Sequence, residues 1–427
     1  MRDFTATVVG KSVRAGLMFR RGGGQALPGL VVEKLFPKYV TSMLSKLPEG
    51  IVVITGTNGK TTTTKMVVHL LAANGKRVLT NQTGSNLIRG IASSISQNAR
   101  LTGRLPYDIA VLEVDEATAR QLVKQVRPRW VLALNVSRDQ LDRFGEVDTI
   151  ADYIGAAMEQ AAEGIVTNAR DPNLLGRASK IASDRGLRLE LFASAPALAR
   201  HFPTDYELAA VNQPVKNYEK PGKTEVNTVL ADFRENHVKY KLGGKAFESA
   251  LKISGQHNYL NGAAALALAR CLLPEAPEGN LVKELANVSL AFGRGEKYRL
   301  KTGAVIELVL VKNPASFTQA LASYGSRRQN LMIAINDNIA DGRDVSWLWD
   351  VDFKPLAGRK ITVTSGTRAA DMALRLSYDG IETKRVITDL HKGLGLLALQ
   401  DGEKVVLATY TAMLRLYAYL SKKGVKI

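Results

Sequence analysis

The sequence predicts an α/β protein built on a mostly parallel sheet, followed by a second and smaller α/β (Rossmann-like) domain. Three observations carry this. Strand-like apolar runs alternate with helical stretches from residue 51 onward. The first of these runs opens through a Gly-rich turn into a helix. The alternation breaks after Pro203 and resumes past Arg299. A chain of 427 residues, 45% apolar, has room for two or three domains with ample core.

Taken in order, residues 1–50 read as an N-terminal extension packing on the central domain. It carries a Gly22-Gly23-Gly24 turn, Leu27-Pro28-Gly29, and one expected helix near Pro37–Leu47. Strands are expected at Ile51–Thr55, Arg77–Thr80, Asp108–Glu113, Arg129–Asn135 and Gly164–Asn168. Between them, helices are expected at Thr61–Asn74, stopped by Gly75, at Ala117–Val126, stopped before Pro128, and at Asp148–Glu163, stopped by Gly164. Pro203, Pro214, Pro221 and Gly222 then break the rhythm. The alternating runs Thr228–Phe233 and His237–Leu242, ending at Gly243-Gly244, make residues 203–253 a small β insertion. Helix returns at Asn258–Leu273. The second unit offers strands at Val305–Leu310, Asn330–Ile335, Lys360–Thr364, Lys384–Thr388 and Lys404–Ala408. The expected division is 1–50, 51–298 and 299–427.

Composition narrows the class. The single cysteine, Cys271, excludes intrachain disulfides and cysteine-based metal sites, and its place in the helical run Ala263–Leu273 marks it as an inert core residue. No apolar run is long enough to span a bilayer and no signal peptide is evident, so a cytoplasmic location is expected. The formal charge of +18 favours an anionic partner. It is spread along the chain without a Lys/Arg block or interleaved aromatics, which argues against nucleic acid and leaves a phosphorylated lipid or an acidic partner.

The chemistry begins at Thr55-Gly56-Thr57-Asn58-Gly59-Lys60-Thr61-Thr62. The full P-loop pattern wants an earlier glycine where Ile54 stands, so this is the shorter Gly-x-x-Gly-Lys-Thr. Gly56 and Gly59 allow a tight turn that points N–H groups inward. The helix start and Lys60 add positive charge, and Thr61 is placed to ligate Mg²⁺. Glu113, at the tip of Ile109-Ala-Val-Leu-Glu, supplies a second Mg²⁺ contact. After the next strand, Asn135-Val-Ser-Arg-Asp139-Gln140-Leu-Asp142 offers carboxylates that either serve a site or cap a helix.

These segments resemble the ATP-binding central domain of the Mur ligase family. So do the turn Thr167-Asn168-Ala-Arg-Asp171, the helix start Gly255-Gln-His257-Asn258-x-x-Asn261, and Phe292-Gly-Arg294-Gly-Glu296. The resemblance implies a Mur-ligase-type fold, ATP and Mg²⁺ as cofactors, and an acyl phosphate attacked by an amine. It assigns Asn168 to adenine and Arg294 to positioning ATP. Further on, Ile335-Asn336-Asp337-Asn338-x-Ala-Asp341-Gly-Arg343-Asp344-Val-Ser-Trp347-Leu-Trp349-Asp350, Ser365-Gly-x-Arg368-Ala-x-Asp371 and Ala408-Thr-Tyr410-Thr411 are similar to the amidating branch of that family. Those members convert the D-glutamate α-carboxyl of the lipid II stem peptide to an amide, with ammonia from a separate GatD-like glutaminase subunit. By this resemblance Asp350, with Asp344 and Asp352 as rivals, orients the histidine of the partner's triad. Trp347 and Trp349 suit an interface, and the basic surface suits a pyrophosphate-bearing lipid at the inner membrane face.

Two departures distinguish the chain from amino-acid-adding relatives. Gln140 stands where they carry a metal-binding histidine, and Ala157 stands where the lysine of their Tyr-x-x-x-Lys belongs, after Tyr153. One well-held Mg²⁺ is therefore expected. Many relatives carry a four-cysteine zinc ribbon in the insertion. With no cysteine there, residues 203–253 are expected to be free of zinc. The alternative readings are a stand-alone Mur or folylpolyglutamate-type amino-acid ligase, and a nucleotide-dependent regulatory module. His69, His201, His237 and His391 are expected to be ordinary packing or surface residues.

Overall fold

A computed structural model of the chain describes residues 2–19, 27–81, 86–137, 147–202, 204, 225–253, 255–288, 294–324 and 330–427. Its centre is a nine-stranded sheet. The strands are β1 (Ile51–Thr55), β2 (Val78–Thr80), β3 (Ile109–Glu113), β4 (Trp130–Ala133), β5 (Gly164–Asn168), β6 (Arg188–Ser194), β7 (Thr228–Arg234), β8 (His237–Leu242) and β9 (Lys245–Ala250). They lie in the order β2-β3-β1-β4-β5-β6-β7-β8-β9. Pairing is parallel from β2 to β7 and antiparallel from β7 to β9.

All five residues of β1 are buried. Val52 and Ile54 face one core, and Ile51 and Val53 face the other. A strand buried on both faces has no polar side, which explains the unbroken apolar run. The first core packs under α4 (Lys60–Ala73), α9 (Gln256–Leu272) and α10 (Glu278–Ala286). The second packs under α3 (Tyr39–Leu44), α5 (Ile88–Asn98), α6 (Glu116–Leu122), α7 (Val147–Glu159) and α8 (Pro172–Arg185). Cys271 lies in the first core, and burial pushes its thiol up to about 12, so it stays protonated.

The N-terminal extension departs from expectation. Instead of one helix it holds α1 (Arg2–Phe19), α2 (Leu27–Leu35) and α3. The turn at Gly22–Gly24 lies outside the described residues. In α1 the buried positions Ala6, Thr7 and Gly10 are small, so no apolar stripe advertises the helix. They let it lie close to α5, where a Cβ on Gly10 would come 2.6 Å from Ser96 Cβ. The described part of the expected insertion is no separate module. Strands β7 to β9 extend the main sheet, with β7 parallel to β6 and each later strand turning back on the last. The prolines expected to punctuate it (Pro203, Pro214, Pro221) lie outside the described residues.

The second unit is a seven-stranded sheet in the order β16-β14-β12-β17-β11-β10-β18. The strands are β10 (Arg294–Leu300), β11 (Val305–Leu310), β12 (Asn330–Ala334), β14 (Val363–Ser365), β16 (Val386–Ile387), β17 (Lys404–Ala408) and β18 (Gly424–Lys426). The expected strand at Lys360–Thr364 divides: its first part, β13 (Lys360–Ile361), pairs instead with β15 (Glu382–Thr383). Strand β10 runs antiparallel to β11, so this sheet takes up the chain a few residues before position 299. Helices α11 (Pro314–Tyr324) and α12 (Ala369–Tyr378) cover one face, and α13 (Leu390–Ala398) and α14 (Tyr410–Lys423) the other. No described helix is long and apolar enough to cross a membrane.

Candidate active site

The phosphate loop leaves β1 and enters α4 at the carboxyl end of the main sheet. Both of its glycines are required. Gly56 has φ +128, and a Cβ there would lie 2.9 Å from the Asn135 carbonyl oxygen. Gly59 has φ +87, and its Cβ would collide with Asn261 Oδ1 on α9. Gly59→Ala is therefore expected to weaken ATP binding at least about tenfold, from roughly 1–3 kcal/mol of backbone strain plus the clash, read by nucleotide titration.

Asn135 holds the loop from the neighbouring strand end. Its Oδ1 accepts from Asn58 N at 2.9 Å, its Nδ2 donates to Asn58 O at 3.0 Å, and its own carbonyl accepts from Thr57 N at 3.0 Å. Thr57 Oγ1 accepts from Ser137 N at 3.0 Å. These bonds fix the loop before any ligand arrives.

Lys60 and Thr61, adjacent in the chain, face different partners. Thr61 Oγ1 donates to Glu113 Oε1 at 2.7 Å. Glu113 is buried, and its backbone N–H and C=O are both clamped by the Asn81 amide, at 2.9 and 2.8 Å. A hydroxyl and a carboxylate brought together at the loop are hard oxygen donors of the kind Mg²⁺ prefers. Among the described residues no three His, Cys, Asp or Glu side chains form a metal cluster. Lys60 Nζ donates to the Gly56 carbonyl and lies 3.5 Å from Glu116 Oε1. Burial works to raise the pKa of Glu116, but Lys60, the residue's own amide and Lys312 outweigh it and hold the carboxyl below its ordinary range.

Beside the loop is a cleft walled by Leu134, Phe192 and Phe202, with Ser137 and Asn168 as polar groups and Gln319 of α11 closing it from the second unit. Asn168 Oδ1 accepts from Arg170 N at 3.0 Å, which leaves its Nδ2 donors for a ligand. An aromatic-walled slot with an amide donor can take a purine.

The motifs of the second unit converge on one end of its sheet. Asp341 is buried and accepts from both the N–H and the hydroxyl of Thr411. Asn336 Nδ2 and Asn338 Nδ2 donate to the same hydroxyl at 2.9 and 2.7 Å. Arg368 Nε donates to Asp337 at 2.9 Å. Beyond this lattice, a 3₁₀ turn over Ser346–Asp350 carries Trp347 inward against Phe317 and leaves Trp349 and Asp350 exposed. Arg375 anchors the turn by donating to the Leu348 and Val351 carbonyls, and its guanidinium lies over the Trp349 ring. Asp344 and Asp352 each accept a backbone N–H two residues on, from Ser346 at 2.8 Å and Lys354 at 2.9 Å.

Of the expected site residues, the structure gathers Gly56 to Thr62, Glu113 and Asn168 around one loop, and places Asp350 on the other unit. Asp139, Gln140 and Asp142 lie outside the described residues, as does the side chain of Arg294. Ala157 is buried. Of the histidines, His201 packs on Phe233 and meets Gln256 Oε1 at 3.1 Å, and His391 stacks on Tyr419. Sequence reasoning missed Asn81, Glu116, Lys312 and Asn313. Only Glu116, three residues from Glu113, left a local signal.

Fold and site together define an ATP-dependent ligase of the Mur type. Residues 54–269 match the Mur ligase middle domain family and residues 310–413 match the MurT ligase C-terminal family. MurF from Acinetobacter baumannii superposes with a TM-score of 0.67 at 17% identity, covering 92% of this chain and 80% of that one. Folylpolyglutamate synthase from Mycobacterium tuberculosis, solved with ADP and AMPPCP, superposes at 0.60 and 15% identity, covering 92% of this chain and 97% of that one. The chain is 32% identical over 96% of its length to "Lipid II isoglutaminyl synthase (glutamine-hydrolyzing) subunit MurT" of Streptococcus pneumoniae, covering 95% of that protein. It is 30% identical over 99% of its length to the Staphylococcus aureus protein of the same name, covering 98% of it. The chain belongs to the MurT family.

Proposed function

We propose that this chain is the synthetase half of a two-subunit amidotransferase acting on the D-glutamate α-carboxyl of the lipid II stem peptide. The observation that carries the reading is the likeness to both MurT relatives over nearly their full length, with the Mur-type loop intact. In the first step a carboxylate oxygen attacks the γ-phosphorus of ATP and the bond to ADP breaks. In the second, ammonia attacks the acyl carbon, phosphate leaves and a proton is lost. Lys60 sheds its carbonyl contact and neutralises the transferring phosphoryl. Thr61 and Glu113 hold Mg²⁺, which when bound offsets charge on the β- and γ-phosphates. Asn168 donates to adenine, and Thr57, Asn58 and Thr62 line the phosphates. Arg294 helps to position ATP.

Ammonia comes from a glutaminase subunit docked at the exposed Trp349, Leu374 and Tyr378, where Trp349 meets Tyr378 edge-on. Asp350, exposed at the end of the 3₁₀ turn, is the residue that the family resemblance gives for orienting the partner's histidine, with Asp344 and Asp352, each accepting a backbone N–H two residues on, as its rivals. The protein works peripherally at the cytoplasmic membrane face, where its lipid substrate is.

The test is amide formation on lipid II with ATP and glutamine, with and without the glutaminase subunit. Product is expected only with both subunits, or with the chain alone plus ammonium at alkaline pH. Equal product from an added amino acid would overturn the reading in favour of a stand-alone ligase.

A further inference from the structure

Helix α1 presents an uncharged face to solvent. Past Arg2, its exposed residues up to Leu17 are Phe4, Thr5, Ser12, Ala15 and Gly16, with Val8 and Val9 half-buried among them. Phe4 is 51% exposed, and a Cβ on Gly16 would meet nothing within 4 Å. A helix laid on a core in water normally turns its charges outward. The surround, by contrast, is basic. Helices α1 and α5 run antiparallel: Gly10 meets Ser96, and Gly103, in the turn after α5, lies against the Phe4 backbone. Two hydrogen bonds between Arg100, Gly103 and Arg104 close that turn, both at 2.9 Å, and Leu101 stands 60% exposed on it. Residues 2–19 and 86–107 hold Arg2, Lys11, Arg14, Arg89, Arg100 and Arg104 against one carboxylate, Asp3. Asp3 is already taken by Lys46 and the Ser42 hydroxyl. Among the described residues no carboxylate pairs with Arg2, Arg100 or Arg104.

We propose that this face, from Phe4 along α1 with the Leu101 turn at its edge, docks the protein on an anionic lipid surface. Phe4 and Leu101 enter between headgroups, and the arginines beside them meet lipid phosphates. The small side chains at Thr5, Ser12, Ala15 and Gly16 give a protein partner little to grip, whereas a lipid interface accepts a shallow uncharged strip. Placement fits the chemistry. Helix α5 starts at the phosphate-loop end of the sheet, where the Asn86 carbonyl accepts from Asp115 N at 3.3 Å, and ends before β3 at the opposite end. Helix α1, antiparallel to it, climbs back toward the loop. A membrane along α1 therefore lies beside the site, and a lipid-borne substrate reaches the loop with its tail still in the bilayer. This deepens the proposed function, which sets the substrate in a membrane.

The experiment uses the full chain and vesicles of phosphatidylcholine with or without phosphatidylglycerol, free of lipid II. Thermal melts and ADP binding confirm that each variant folds. Wild type is expected to float with anionic vesicles, to stay behind with neutral ones, and to be released by salt. Arg100→Gln with Arg104→Gln is expected to weaken partitioning about 25-fold, about fivefold for each cation. Phe4→Ser with Leu101→Ser is expected to weaken it about tenfold or more. Leu399→Ser, at an exposed leucine of the second unit, is expected to change nothing. Because Cys271 is buried, Ser12→Cys takes an environment-sensitive dye at one place, and its emission is expected to shift to the blue on anionic vesicles. Wild type that ignores anionic vesicles, variants that bind like wild type, or a dye at Ser12 that stays in water while the protein binds would each overturn the proposal. Loss of the glutaminase subunit by the Phe4 and Leu101 variant, with vesicle binding intact, would give the face to a protein and overturn it as well. Amidation is then compared on lipid II in vesicles and in detergent micelles, and the variants are expected to fall behind only in vesicles. If wild type amidates in neither, the proposed function fails, while vesicle binding still decides this face.

Discussion

Glu113→Gln is expected to lower ATP-dependent amide formation by on the order of 10²- to 10³-fold and to raise the Mg²⁺ concentration needed for half-maximal rate. The substitution keeps shape and removes only charge. The Asn81 amide clamps the Glu113 backbone N–H and C=O and is indifferent to the side chain. The Thr61 hydroxyl, 2.7 Å from Glu113 Oε1, can donate to a carboxamide oxygen as well. Stability should therefore change little, and the loss should fall on the metal. Two comparisons sharpen the test. Thr61→Val should cost less alone, and the double variant should cost less than the product of the two, because both residues serve one ion. Glu116→Gln should leave the Mg²⁺ dependence unchanged while altering the rate, because Glu116 pairs with Lys60. A Glu113→Gln enzyme with the wild-type Mg²⁺ profile would remove Glu113 from the metal site.

How much of this was legible depends on whether the signal was local. Strand β5 was read to the residue because it is buried throughout and bounded by turns. The Thr61–Glu113 meeting could be anticipated because both lie at carboxyl ends of strands, which parallel pairing of β1 with β3 makes neighbours. What escaped had no local mark. Helix α1 buries alanine, threonine and glycine, so its periodicity is silent. Strand β6 begins Arg188-Leu-Glu190, and its polar first half is explained only by a distant partner: Arg270 on α9 pairs with Glu190 at 3.1 Å. Lys312 and Asn313 read as a loop before Pro314, and nothing within ten residues says that a lysine there will touch Thr57. Contacts between units are fixed by the assembled fold, and a one-dimensional pattern does not carry them.

The other large effect is expected at a distance from the loop. Asp350→Asn should lower glutamine hydrolysis by the complex by on the order of 10³- to 10⁴-fold, the scale on which a triad acid acts through its histidine. Binding of the glutaminase subunit should stay near wild type, and so should amidation driven by added ammonium. The separation follows from placement. Asp350 is exposed at the end of a 3₁₀ turn that Arg375 anchors within the second unit. Trp349→Ala should do the reverse, weakening subunit association by tenfold or more while sparing ammonium-driven amidation, since an exposed aromatic at an interface centre commonly carries about 2 kcal/mol. Asp344→Asn and Asp352→Asn serve as controls. Each now caps the backbone N–H two residues on, and a carboxamide oxygen accepts that bond nearly as well. If either control abolishes glutamine hydrolysis while Asp350→Asn spares it, the triad role moves to that residue. If none of the three matters, the partner completes its own triad, and the Trp349 turn serves docking alone.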